Sequence, residues 1–173
     1  RDIAAIALFA ALWSVLSAYI TPIFWRATHL PFLCDTLGVI SLILVLWHTR
    51  KFGAVALTGI IATIITLTFN PDATHFFGFT AASIVFDVLA RLIGYQTCLE
   101  KAILGVISLL SVSAISTAVA GTTIGVLFMN PAMFGGLAFF AVLHVAGGVI
   151  GGVIGLVLVR ALSTRISIPR VET

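Results

Sequence analysis

Six long apolar stretches, parted by short polar breaks, organise this chain. They cover about residues 3–20, 32–48, 52–69, 76–95, 102–128 and 134–160. A bilayer core takes roughly 20 apolar residues per helix, so the pattern predicts six spanning helices. Strands would need alternating apolar and polar positions and a closed barrel, and no such alternation occurs. The expected fold is an all-α membrane protein, a six-transmembrane-helix bundle. A single domain covers residues 1–162, and a polar tail of residues 163–173 containing Pro169 is expected to fray.

Composition agrees with the pattern. The chain has 173 residues, 61% of them apolar and only 9% charged, against about 25% charged in soluble domains. No separate soluble domain fits, and no nucleotide-binding loop is present. A net charge of +3 fits a basic membrane rim and implies no nucleic-acid partner. The first span is too long for a secretory signal and lacks a small-residue cleavage site before the second. The sequence starts at Arg1, without Met, as a trimmed chain would.

Charge also orients the bundle. Arg1, Arg50, Lys51, Arg91, Lys101, Arg160, Arg165 and Arg170 fall at the termini or in the second and fourth breaks, and Arg26 alone falls in an odd-numbered one. Because Lys and Arg stay on the cytoplasmic side, both termini are expected inside, and the first, third and fifth breaks outside. A disulfide between Cys34 and Cys98 would contradict that topology, so both thiols are expected free.

The outer breaks hold most of the concentrated chemistry. The first, TPIFWRATHLP, carries Trp25, Arg26 and His29; the third, NPDATH, carries Asn70, Asp72 and His75; the fifth, NPAMFGG, carries Asn130. Phenylalanines flank all three. Aromatic walls with a few convergent polar groups make a ligand site: the rings stack on a planar ligand, Arg26 holds an anion, and the Asn amides read ring heteroatoms. The alternative is an ordinary interfacial rim with solvated charges. A metal reading also stands, in which Asp72, His75 and His29 supply carboxylate and imidazole ligands.

Within the spans, His144 lies near the midplane on a face shared with Phe140, Gly148 and Gly151. It either borders a glycine-lined gap or hydrogen-bonds to hydroxyls such as those of Ser116 or Thr117. Asp87 and Arg91, four residues apart, are expected to pair. Asp35 is expected to partner Arg26 or His29. No nucleophile–base pair stands out, so catalysis is not expected.

Rows of small residues let helices approach closely in lipid. They run through Gly147, Gly148, Gly151, Gly152 and Gly155; through Ser113, Thr117, Gly121 and Gly125; through Ala54, Thr58, Ala62 and Thr66; and through Ala7 and Ala11. Each either packs the bundle internally or docks a partner. Asn-Pro followed by Phe-Gly appears after both the third and the fifth span, as two related halves or as repeated turn chemistry.

Taken together, the six short-looped spans, the second span running through a basic turn into a Gly- and Ala-rich third span (VISLILVLWHTRKFGAVALTGIIATI), and the AxxxA pattern at Ala7–Ala11 resemble the substrate-binding S components of energy-coupling-factor vitamin transporters. The resemblance implies a non-enzymatic subunit of a prokaryotic cell membrane. It would capture a small planar vitamin or precursor at the outer face, with no resident cofactor. Ala7 and Ala11 would contact a transmembrane T component, which two ATPases energise. The substrate would lie among Trp25, Arg26, His29, Asn70, Asp72, His75 and Asn130, with His144 on the floor, and an anionic or carboxyl-bearing precursor is the favoured ligand. A nickel- or cobalt-uptake subunit or a solitary transporter is the alternative, with a small intramembrane enzyme behind it.

Overall fold

A computed structural model describes residues 1–165; residues 166–173, which hold Pro169 and most of the expected tail, lie outside the described residues. The described chain is all helical. Seven helices run in order: α1 (Asp2–Thr28), α2 (Phe32–Thr49), α3 (Ala54–Phe69), α4 (Phe76–Ile93), α5 (Tyr95–Glu100), α6 (Ala102–Leu127) and α7 (Leu137–Ser163). A 3-10 turn, Pro131–Phe134, precedes α7. Five of them (α1, α2, α4, α6 and α7) are long and apolar enough to cross a membrane, and the protein is a multi-pass helical membrane protein. At 1.5 Å per residue, the 16-residue α3 reaches about 24 Å, short of the ~30 Å hydrocarbon core.

The helices close into a ring in which α1 packs on α2 and α3, α2 on α7, α7 on α6, α6 on α4, and α4 on α3. Glycines set the spacing around α7. A methyl group on Gly147 or Gly151 would meet the backbone of α2 at Phe32 or Thr36, while one on Gly148 or Gly152 would meet Thr117 or Ser113 of α6. This helix is therefore wedged between two neighbours, each reading a different glycine row. Gly121 and Gly125 of α6 accept α7 at His144 and Phe140 in return. These rows pack the bundle internally. On α3, Ala54, Thr58, Ala62 and Thr66 are buried too, and the Ser14 hydroxyl of α1 donates to the Ala62 carbonyl over 2.9 Å. Of the AxxxA pair, Ala7 faces outward and Ala11 is half-buried.

Three local expectations are corrected. Helix α1 continues through Pro22 to Thr28, so Trp25 and Arg26 sit on its last two turns, outside any loop. Proline costs a helix one N–H donor, but in lipid the alternative, unpaired backbone, costs more. The fourth break, read as a polar turn, folds as the short helix α5. Asp87 and Arg91 do not pair: Asp87 Oδ2 accepts the Ala56 N–H over 3.0 Å, capping the start of α3, and the Arg91 guanidinium lies 5.9 Å from the Tyr95 ring centre. The donors freed at a helix start attract a carboxylate more strongly than a neighbouring solvated Arg does.

The end of the bundle carrying the α2–α3 turn is tied together by ions. Arg50 reaches Glu100 of α5, and Lys51 reaches Asp2 of α1, both at 2.6 Å. Arg50, which ends α2, adopts a left-handed backbone with φ 50°. Cys98 is buried against α6, and burial pushes its thiol up to about 11. Both Cys34 and Cys98 are free thiols.

Candidate functional site

At the other end, the bundle encloses a cavity of about 320 Å³. Six long segments wall it: the C-terminal halves of α1, α3 and α6 and the N-terminal parts of α2, α4 and α7, together with the loops that join them. That is the end opposite the α2–α3 turn, α5 and Arg160.

Trp25, His75, Phe76, Phe79, Phe140 and His144 bring aromatic rings to the wall. From the rim inward, Trp25 lies 5.7 Å from Phe134, Phe134 lies 4.9 Å from Phe140, and Phe140 meets His144 edge-on at 4.7 Å between ring centres. Across the cavity, His75, Phe76 and Phe79 form a second cluster, with Phe76 and Phe79 5.3 Å apart. Trp13 supports this cluster from below, 6.0 Å from each of those two phenylalanines. Gly38 makes room for it, since a methyl group there would meet the indole at 2.6 Å.

Pro22 also belongs to the wall, as does Ala18 one turn before it. Having no N–H, Pro22 cannot donate to the Ala18 carbonyl, so this turn of α1 lacks one helix hydrogen bond beside the cavity.

His144 and Asp35 form the buried ionisable core. His144 Nδ1 lies 2.8 Å from Asp35 Oδ2, with both side chains almost wholly buried. The contact has ion-pair distance but is bent away from hydrogen-bond alignment, and His144 Nε2 has no hydrogen-bond partner among the described residues. Asp35 therefore faces α7, correcting its expected pairing with Arg26 or His29. The hydroxyls anticipated for His144 are occupied or turned elsewhere: Thr117 donates to the Ser113 carbonyl over 2.8 Å. Below the dyad, Trp13, Asp35 and Ser116 border a second hollow of about 10 Å³, a size that suits a single water.

Of the sequence-predicted residues, the fold brings Trp25, Asn70, His75 and His144 together in the cavity lining. Trp25 and His75 are half-buried. Burial lowers the His75 pKa to about 4, with a further contribution from His144, so its neutral ring offers one donor and one acceptor at pH 7. Asn70 is exposed, and its side-chain oxygen accepts the Asp72 N–H over 3.3 Å.

Arg26, His29, Asp72 and Asn130 are exposed and do not line the cavity. His29 ends α1 in a left-handed conformation with φ 56°, and Asn130 caps the 3-10 turn by accepting the Ala132 N–H over 3.0 Å. No three His, Cys, Asp or Glu side chains gather to hold a metal among the described residues. His29, Asp72 and His75 thus do not form the group that a metal reading requires.

Sequence reasoning missed Ser17, Thr21, Cys34 and Thr66, which add small polar groups to the wall. Their only signal was position. Each lies in or within about two turns of the first or third break, on a helix face that the apolar pattern could not distinguish.

In comparisons with known proteins, the chain matches no family model, no curated protein and no solved structure.

Proposed function

We propose that this protein is a substrate-binding membrane subunit of the energy-coupling-factor type, which captures a small planar vitamin or vitamin precursor in the aromatic cavity. The cavity is the observation that carries the reading. Its 320 Å³ volume lies at the low end of small-molecule sites, and its wall combines the rings of Trp25, Phe76, Phe79 and Phe140 with His75, His144 and Asn70. In this reading α3 crosses with the five longer helices, giving six spans. Both termini and the basic turns lie inside, because Arg50, Lys51, Arg91, Lys101 and Arg160 all belong to the end away from the cavity. The mouth then faces outward, as capture requires.

The chain binds and does not catalyse. A T component with two ATPases supplies the energy, docking through the outward face of α1 that includes Ala7. Native mass spectrometry of the detergent-purified protein tests the binding reading. A retained compound of a few hundred daltons, lost from Trp25→Ala, is the expected result. A protein that retains nothing and binds no member of a vitamin and precursor panel would overturn it.

A further inference from the structure

The charge of the cavity narrows its ligand. We propose that it selects a planar aromatic nitrogen cation and rejects carboxylates, an inference that rests on the cavity being the ligand site. No Lys or Arg lines it. Arg26 at the end of α1 and Asp72 on the α3–α4 loop are both exposed, and neither reaches the lining. His75 contributes no charge at neutral pH. The one buried acid at this depth is Asp35, directly behind the His144 ring.

Among the described residues the Asp35 carboxylate has no Lys or Arg partner; its contact is with the His144 ring at 2.8 Å, outside hydrogen-bond alignment. A carboxylate buried without a full counter-charge is costly. A ligand cation in the cavity would supply one, through the short His144 ring and a low-dielectric interior that weakens the field little. The geometry brings the two together: His144 lines the cavity with the carboxylate at its Nδ1, and neither Asp35 oxygen has a hydrogen-bond partner among the described residues. The ring faces favour the same charge, because aromatic quadrupoles attract cations, and Trp25, Phe76, Phe79 and Phe140 all line the site. An anion would meet these rings and the Asp35 field with no Lys or Arg in the lining to offset them.

Three isosteric probes separate charge from shape: benzamidinium, benzamide and benzoate carry positive, zero and negative charge on one planar frame. Titration calorimetry of the purified full-length chain should rank them in that order, with benzamidinium at least about tenfold tighter than benzoate. Asp35→Asn should bring the ratio of benzamidinium to benzamide affinity down to about one, a change in charge preference that a merely structural role for Asp35 would not produce. If that variant does not fold, the wild-type ranking decides alone. Benzoate binding as tightly as benzamidinium, or no benzamidinium binding at millimolar concentration, would overturn the proposal. A copurified anionic ligand would overturn the charge preference yet leave the cavity as a ligand site, whereas a protein that binds nothing at all fails both.

Discussion

Trp25 and Arg26 are neighbours in sequence and opposites in the structure. The indole turns into the cavity against Phe134, while the guanidinium stays exposed outside it. Trp25→Ala should weaken ligand binding at least about tenfold, on the order of 1.4 kcal/mol, and Arg26→Ala should leave affinity nearly unchanged. Titration of both variants with the retained ligand checks this, and equal losses would place Arg26 in the site. Asp87 shows the same dependence on surroundings. Its role is to cap α3, so Asp87→Ala should lower thermal stability in detergent by about 1 kcal/mol, a typical capping loss, with ligand affinity preserved. A loss of binding without a loss of stability would instead give Asp87 a part in the transport chemistry.

At the scale of elements, α7 decides whether the site exists. It carries His144 and Phe140 to the cavity and is seated by glycines that permit backbone approach on two sides. Gly148→Val would drive a branched side chain into Thr117, and overpacking of this kind costs about 1–3 kcal/mol. We expect a lower melting temperature together with weaker binding, measured on the same preparation. Ile150→Val, at an exposed position of the same helix, should change neither. The continuation of α1 through Pro22 is the second element-scale determinant. Had the helix stopped near Ile20, Trp25 would lie on a loop with no fixed direction; the last two turns aim it.

For the whole molecule, two consequences follow from orientation and partnership. If the cavity opens outward, single cysteines at Thr28 and at Phe52, in a background with Cys34 and Cys98 replaced by Ala, should differ in intact cells. The first should react with a membrane-impermeant maleimide, and the second only after lysis. The reverse pattern would invert the topology and place the cavity mouth inside. Ala7 is exposed, so Ala7→Trp should preserve folding and ligand binding while abolishing copurification with a T component. Retained copurification would move the docking surface elsewhere.

Contiguous apolar runs separated by polar breaks followed directly from the composition of each segment, because lipid demands them of any spanning helix. The sequence by itself therefore determined the helical membrane class, the approximate bounds of the long helices and the grouping of basic residues towards one end. It also grouped Trp25, Asn70 and His75 in breaks away from most of the basic residues. Tertiary structure decided which way each side chain faces. A soluble helix announces its buried face by amphipathicity, but in a membrane the core and the lipid are both apolar, so the pattern carries little rotational information. That is why Ser17, Cys34 and Thr66 went unread as cavity wall, and why Arg26, His29, Asp72 and Asn130 gathered in the outer breaks without entering it. Asp35 could meet His144 only once glycines at 147, 148 and 151 had let α7 settle between α2 and α6, a contact fixed by backbone approach across more than a hundred residues of chain.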